Sequence, residues 1–259
     1  MLFDCHVHSA ASADSKADPE EIIKIARERG NGVIFTEHYD YDYSPVGGHN
    51  YKCDLAAYLN DYEKYRADNV LLGVEMGLTS ADLPDLRALA QKLPFDFVLG
   101  AAHMLEEIDI YIDLLRSERP TVTAEAYIDY LIKMTGAAPF IDALAHIDYP
   151  NRYDRQIPSG FDFKNHEPKL RLLFINLVKN DIVLEINSRR LANAAAASDM
   201  TRLYALYKNC GGKYVTVGSD AHVARDVYQN FKTAFDIAET VGLTPVIFRN
   251  RKMDFLRKN

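Results

Sequence analysis

The strongest constraint on the fold of this chain is a regular alternation between short apolar runs and stretches with helical spacing of apolar residues. The first complete unit shows the pattern. Asp18 and Pro19 predict the start of a helix, Gly30 predicts its end, and the apolar run 32–35 follows. Strand, helix and strand in this order are typical of parallel βα units. Because about seven such runs can be followed, the sequence predicts an α/β fold with a buried, parallel sheet.

Residues that can bind metal ions stand at or just beyond the ends of these runs. The runs lead, in chain order, to His6, His38, Glu75, His103, His146, Asn187 and Asp220. Six of them deliver His, Asp or Glu, and the run before Asn187 is followed by Arg189 and Arg190. In parallel barrels the active site is built at the carboxyl ends of the strands. The recurrence therefore predicts that these side chains converge on one site.

The first run ends in the pair His6 and His8. Side chains of an extended segment alternate between two faces, so we expect both imidazoles on one side, where they can bind one metal ion. Taken alone, the pair could equally be two polar residues on the solvent face of a strand. The residues at the other strand ends favour the metal site.

The full set of predicted metal ligands combines imidazoles with carboxylates. It consists of His6, His8, Asp14, His38, Glu75, His103, His146, Asp220 and His222. Such a mixture suits Zn, Mn or Fe, whereas Mg and Ca prefer oxygen ligands. Nine ligands exceed the needs of one ion, so we expect two or three divalent metal ions, with one carboxylate shared between two of them. Hydrolysis of a phosphate ester is the natural reaction of such a cluster.

Composition narrows the class of protein. With 259 residues and 48% hydrophobic content, the chain can form a sizeable core, and one domain spanning residues 1–259 is expected. A net charge of -7 disfavours sequence-independent binding of nucleic acid, although it is compatible with a small phosphorylated substrate held through metal ions. The three cysteines show no CxxC spacing, the first residues do not show a charged region followed by an apolar one, and no apolar run approaches about 18 residues. These features predict a cytoplasmic protein that binds neither nucleic acid nor membrane, and they leave the oligomeric state open.

Seven pieces of the sequence resemble the PHP (polymerase and histidinol phosphatase) domain family. They are, in the family's order, Asp4-x-His6-x-His8, 12–15, 35–38, 73–77, 102–103, 145–148 and 218–222. Each piece alone is weak, but together they span nearly the whole chain. The resemblance implies a distorted seven-stranded (β/α)7 barrel with a metal site at the C-terminal ends of the strands.

The resemblance also implies how the ligands are shared. The first ion would be held by His6, His8, Glu75 and Asp220. The second would be held by Glu75 as a bridge with His103 and His146, and the third by Asp14, His38 and His222. The catalytic set would be His6, His8, Glu75 and Asp220, acting through a metal-bound hydroxide. Many members carry His where Asp14 stands, which leaves the metal preference of the third site open.

Two further pieces, 146–153 and 184–189, are similar to the stand-alone histidinol-phosphatases within this family. By that resemblance the chain is a metal-dependent phosphomonoester hydrolase of histidine biosynthesis, which converts L-histidinol phosphate and water to L-histidinol and phosphate. Arg152 and Arg189 would bind the substrate phosphate, whose oxygens match the planar fork of arginine. A surface ion pair is the alternative for either arginine.

Four other polar residues lie beside the predicted site. We expect Arg155 and Arg190 to be exposed to solvent. Glu37 and Asp148 adjoin predicted ligands, where each could orient a histidine or the amine of the substrate.

Two alternative functions remain open from the sequence. A PHP phosphoesterase could act on a phosphotyrosine protein or a nucleotide, although the acidic balance argues against a nuclease. A structural PHP domain that has lost its metals is the non-enzymatic alternative. It is disfavoured because every ligand position carries a residue able to bind a metal ion.

Overall fold

The computed structural model describes residues 1–40, 51–153 and 163–256, in which strands and helices alternate along most of the length. The strands are β1 (Phe3–Val7), β2 (Gly32–Tyr39), β3 (Val70–Gly77), β4 (Phe97–Ala101), β5 (Met104–Leu105), β6 (Ile108–Asp109), β7 (Ala143–Leu144), β8 (Val183–Asn187), β9 (Tyr214–Gly218), β10 (Thr244–Arg249) and β11 (Lys252–Phe255). The α-helices are α1 (Pro19–Glu28), α2 (Leu55–Tyr62), α3 (Leu83–Lys92), α4 (Ile110–Arg116), α5 (Ala124–Ala137), α6 (Glu167–Lys179), α7 (Ala194–Asn209) and α8 (Phe231–Val241).

Nine strands form one sheet in the order β1-β2-β3-β4-β7-β8-β9-β10-β11. Neighbouring strands are parallel from β1 to β10, and β10 pairs with β11 in the antiparallel direction. The short strands β5 and β6 form a separate antiparallel hairpin. The predicted α/β fold with a mostly parallel sheet is therefore confirmed.

The closed seven-stranded barrel implied by the family resemblance is not confirmed, because the sheet order is open and ends at β1 and β11. The segment that follows β9 nevertheless contacts β1. The backbone N–H of Asp220 donates to the carbonyl of His6 at 2.8 Å, and the N–H of His8 donates to the carbonyl of Ala221 at 2.9 Å. These hydrogen bonds bring the first and last parallel strands of the predicted barrel together beside the predicted ligands.

The helices follow the signals in the sequence. In α1, the side chain of Asp18 accepts a hydrogen bond from the N–H of Glu20 at 2.9 Å, which satisfies a free donor of the first turn. Ile22, Ile23 and Ala26 form the buried face of this helix. Among the described residues, no helix is long and apolar enough to cross a membrane.

Apolar side chains pack on both faces of the sheet. One cluster lies between the sheet and the helices, and a second contains residues from the early parts of the strands, such as Phe3, Ile34, Leu71 and Phe97. The polar ligands come later in the same strands. In β1, β2 and β3 the amino ends thus contribute to the apolar core, and the predicted ligands His6, His38 and Glu75 stand towards the carboxyl ends.

Candidate metal centre

The nine predicted ligands come together at the carboxyl ends of the parallel strands. Seven of them line one cavity of about 850 Å³, namely Asp14, His38, Glu75, His103, His146, Asp220 and His222. His6 and His8 are completely buried next to Glu75. The convergence predicted from the strand ends is therefore present in the fold.

The first group consists of His6, His8, Glu75 and Asp220, all of them buried. The Nε2 atoms of the two histidines lie 3.0 Å apart. Glu75 Oε2 lies 3.3 Å from His6 Nε2 and 3.5 Å from His8 Nε2. Asp220 Oδ1 lies 3.8 Å and 3.5 Å from the same two atoms. Asp220 also has a φ of 55°, a backbone conformation that is uncommon outside glycine.

The second group joins Glu75 to His103 and His146. Glu75 Oε1 lies 2.7 Å from His146 Nε2 and 3.4 Å from His103 Nε2, and these two nitrogens are 3.3 Å apart. One oxygen of Glu75 thus faces the first group while the other faces the second. This is the arrangement required of a carboxylate that bridges two ions.

The third group is the most exposed of the three. Asp14 Oδ2 lies 3.0 Å from His222 Nε2 and 3.4 Å from His38 Nε2. The two imidazole nitrogens are 3.4 Å apart. Asp14 keeps 30% of its side chain exposed, whereas the histidines of the first group have none.

The spacing of these donor atoms fits bound divalent metal ions. Two nitrogens at about 2.0–2.1 Å from one tetrahedral zinc ion lie about 3.3 Å from each other, and the three histidine pairs are spaced at 3.0, 3.3 and 3.4 Å. In addition, Glu75 Oε2 and His38 Nδ1 are buried and make no hydrogen bond within the described part of the chain, although they lie 2.9 Å apart. A cation beside Glu75 would satisfy atoms of this kind.

The charges of the centre strongly affect one another. Burial disfavours the imidazolium form of His103, but the carboxylates of Asp40 and Glu75 outweigh this effect and raise its pKa to about 10. At His8 the balance is reversed, because burial and the neighbouring His38 hold its pKa well below the usual value. His8 is thus kept in the neutral form, which is the form that binds metals.

Two carboxylates outside the predicted set contact ligand histidines. Asp40 Oδ1 lies 2.9 Å from His103 Nδ1, and Glu185 Oε1 lies 2.8 Å from His6 Nδ1. Both leave the Nε2 atom of the histidine for the centre. A signal was present in the sequence, because Asp40 follows His38 by two residues, and alternate residues of a strand share a face.

The residues expected to adjoin the ligands differ in their contacts. Glu37 accepts a hydrogen bond from the hydroxyl of Ser12, which lies 3.4 Å from His8 Nδ1, so an indirect contact with a ligand is present. Asp148 is instead paired with Arg190, whose Nη1 lies 2.8 Å from Asp148 Oδ2. The expectation that Arg190 is exposed to solvent is wrong, because this pairing leaves only 23% of its side chain exposed.

Arg152 and Arg189 both line the cavity and both approach Asp220. Arg152 is 8% exposed, with Nη2 at 2.6 Å from Asp220 Oδ2, and its guanidinium lies over the ring of Tyr149. Arg189 is 42% exposed, with Nη1 at 3.4 Å from Asp220 Oδ1. The structure thus places both arginines beside the candidate centre. Arg155 lies outside the described residues.

Another part of the cavity wall is acidic and aromatic. It carries the side chains of Asp82, Glu106, Glu107, Asp109, Tyr111 and Tyr153. The cationic residues Arg152 and Arg189 are the only arginines or lysines among the described residues that line the cavity. One part of the cavity therefore suits an anion, while this part suits a cation through carboxylates and aromatic faces.

Comparison with known proteins gives consistent matches. The family model described as the PHP domain matches residues 4–189. The "Probable histidinol-phosphatase" of Clostridium acetobutylicum is 35% identical over 256 residues, which cover 98% of this chain and 100% of that relative. The "Histidinol-phosphatase" of Lactococcus lactis is 26% identical, with coverage of 99% of this chain and 97% of that relative.

One solved structure is similar over the same length. It is the crystal structure of histidinol phosphate phosphatase from Lactococcus lactis, complexed with zinc, L-histidinol and phosphate. The TM-score is 0.88 at 24% sequence identity, and the match covers 98% of this chain and 100% of that chain. At this identity the likeness shows the fold.

Proposed function

This chain belongs to the PHP domain family, and on that basis we propose that it is a histidinol-phosphatase, a metal-dependent hydrolase that converts L-histidinol phosphate and water to L-histidinol and phosphate. The observation that carries the proposal is the convergence of the nine predicted ligands: seven line one cavity, and His6 and His8 are buried beside Glu75. The full-length match to relatives of that name favours this substrate over other phosphate esters.

The proposed centre holds two or three ions of Zn, Mn or Fe. His6, His8, Glu75 and Asp220 would bind the first, Glu75 with His103 and His146 the second, and Asp14 with His38 and His222 the third. Such ions would activate a water molecule and neutralise charge on the phosphoryl oxygens. The supporting observations are the spacing of the histidine nitrogens and the position of Glu75, whose two carboxylate oxygens face different groups of ligands.

The protein's own side chains would hold the two ends of the substrate. Arg152 and Arg189 would bind the phosphoryl oxygens, because they are the arginines of the cavity wall and lie beside Asp220. The leaving alcohol carries an amine and an imidazole, both able to be cationic. It would lie against the wall that contains Asp109, Tyr111 and Tyr153.

The proposal includes the finer features implied by the family. These are closure of the parallel strands into a distorted (β/α)7 barrel, one domain over residues 1–259, and a cytoplasmic enzyme acting on a small metabolite. The hydrogen bonds between β1 and the segment after β9 support closure.

The test is a substrate and metal screen. The purified protein is stripped of metal, reloaded separately with Mn, Fe, Zn or Co, and assayed for phosphate release from L-histidinol phosphate, phosphotyrosine and nucleoside monophosphates. We expect the highest kcat/KM with L-histidinol phosphate. A preference for phosphotyrosine or a nucleotide would replace the proposed substrate by one of the alternatives. No activity with any metal, together with substoichiometric metal binding, would instead indicate a structural domain.

A further inference from the structure

Glu185 is a fully buried carboxylate beside the candidate centre that is not one of its nine ligands. Its Oε1 lies 2.8 Å from His6 Nδ1. Its Oε2 accepts hydrogen bonds from the backbone N–H of His146 at 3.0 Å and from Asn187 Nδ2 at 3.1 Å. One side chain therefore contacts a ligand of the first group and the backbone of a ligand of the second.

The charge of Glu185 has few partners. In the part of the chain that the structure describes, the only basic side chain within ion-pair distance of it is His6. A buried carboxylate without a counter-charge is costly, and removing one partner of such a pair leaves the other uncompensated. The carboxylate is thus coupled, through the imidazole of His6, to the positive charge that the centre would hold.

The contact also determines how His6 can bind. In a neutral imidazole, a hydrogen on Nδ1 that donates to the carboxylate of Glu185 leaves the lone pair on Nε2. This Nε2 atom faces His8 Nε2 and Glu75 Oε2 in the first group. A carboxylate that holds the outer nitrogen of a ligand histidine fixes its tautomer and ring orientation and increases its basicity as a ligand.

The neighbouring strand leaves room for this contact. A Cβ atom at Gly218 in β9 would collide with both Oε1 of Glu185 and Cβ of His6. Glycine at this position therefore permits the carboxylate and the imidazole to meet across the sheet.

We propose that Glu185 is a positioning residue of the metal centre, which fixes His6 as a donor at Nε2 and links the first group of ligands to the second. The inference rests on the metal centre of the proposed function, but it does not depend on which phosphate ester is the substrate. If the protein binds metals and fails to hydrolyse L-histidinol phosphate, the substrate assignment fails and the role of Glu185 is unaffected.

The test uses Glu185→Gln in the full-length protein. Glutamine keeps the size of the side chain but removes its charge and replaces one acceptor oxygen by an NH₂ group, which only donates. One of the two contacts, with His6 Nδ1 or with the N–H of His146, therefore loses its acceptor. We expect Zn²⁺ to bind about 10- to 100-fold more weakly in competition with a chelator. The visible absorption spectrum of the Co²⁺-loaded variant should also differ from that of the wild type, a change that loss of stability alone would not cause.

Asp96→Asn is the matched control. Asp96 is also buried and also accepts backbone hydrogen bonds, from Leu72 and Asn250, but it lies at the amino end of β4. We expect this variant to lose thermal stability without a change in Zn²⁺ affinity. The proposal would be overturned if Glu185→Gln bound Zn²⁺ within twofold of the wild-type affinity and its Co²⁺ spectrum matched that of the wild type. An equal loss of Zn²⁺ affinity in Asp96→Asn would also overturn it.

A second measurement needs no variant. In the Zn²⁺-loaded wild type labelled with ¹⁵N-histidine, NMR should show His6 with a hydrogen on Nδ1 and Zn²⁺ on Nε2. Binding of Zn²⁺ through Nδ1 would contradict the role of Glu185, even if the Glu185→Gln variant does not fold.

Discussion

The Nη2 atom of Arg152 lies 2.6 Å from the Oδ2 atom of Asp220. The contact is an ion pair without hydrogen-bond geometry, and both Nε and Nη2 of Arg152 are buried without a hydrogen-bond partner among the described residues. Although burial opposes the charge of the guanidinium, Asp220 raises its pKa further, so that Arg152 stays cationic. A buried cation with free donors at the wall of a cavity suits a phosphoryl group.

Replacing Arg152 should therefore weaken catalysis without emptying the metal centre. Hydrogen bonds to charged groups are worth about 1.5–3 kcal/mol, so we expect Arg152→Ala to lower kcat/KM for L-histidinol phosphate by about 10- to 100-fold. The loss at the more exposed Arg189 should be smaller. The measurement is steady-state kinetics together with elemental analysis, and Arg225→Ala, at a highly exposed arginine, is the control. Unchanged kcat/KM would remove Arg152 from the substrate site.

The sequence predicts most of the candidate ligands because they stand at or just beyond the ends of apolar runs, and parallel strands bring these ends together. Asp14 is the exception, since it lies seven residues after the end of β1 and is implied only by the family resemblance. The sequence does not identify the supporting contacts of the ligands with the same ease. Glu185 and His6 are separated by 179 positions, and Asp40 and His103 by 63. Contacts of this kind depend on strand order and register, which the apolar pattern does not specify.

The apolar pattern also does not predict the lengths of the strands. The run 140–145 predicts a strand, but only Ala143–Leu144 is one in the structure. The hairpin of β5 and β6 has two residues in each strand, too few to show any alternation in the sequence. This hairpin nevertheless carries Glu106, Glu107 and Asp109 to the cavity wall.

The third group of ligands should lose its ion before the other two. Asp14 keeps 30% of its side chain exposed, whereas Glu75 is completely buried and its two oxygens face the first and second groups. We expect Asp14→Asn to retain two ions per chain and Glu75→Gln to retain fewer than one, as measured by elemental analysis after dialysis against a weak chelator. Equal stoichiometry in the two variants would contradict the division into three groups.

The acidic wall of the cavity should select a cationic leaving group. Asp109 lines the cavity and also caps α4 by accepting from the N–H of Ile112 at 2.9 Å. Asparagine is an equally good N-cap, so Asp109→Asn removes the charge while keeping the helix start. We expect kcat/KM for L-histidinol phosphate to fall about 10-fold, which corresponds to the loss of one hydrogen bond to a charged group. The kcat/KM for phenyl phosphate should stay unchanged, because its leaving group carries no positive charge.

The control for this prediction is Glu118→Gln, which removes a carboxylate at an exposed position. Its kinetics should equal those of the wild type with both substrates. A parallel loss with both substrates in Asp109→Asn would indicate a general effect on the site rather than recognition of the leaving group.

Gly77 should affect metal binding only through its contact with Asp40. A Cβ atom at Gly77 would collide with Oδ1 of Asp40, the same atom that lies 2.9 Å from His103 Nδ1. Gly77→Ala should displace this carboxylate and weaken Zn²⁺ binding about 10-fold, as should Asp40→Ala. Because both changes break the same contact between Asp40 and His103, the double variant should bind Zn²⁺ no more weakly than Asp40→Ala alone. Additive losses, measured by chelator competition, would mean that Gly77 supports the centre by a route independent of Asp40.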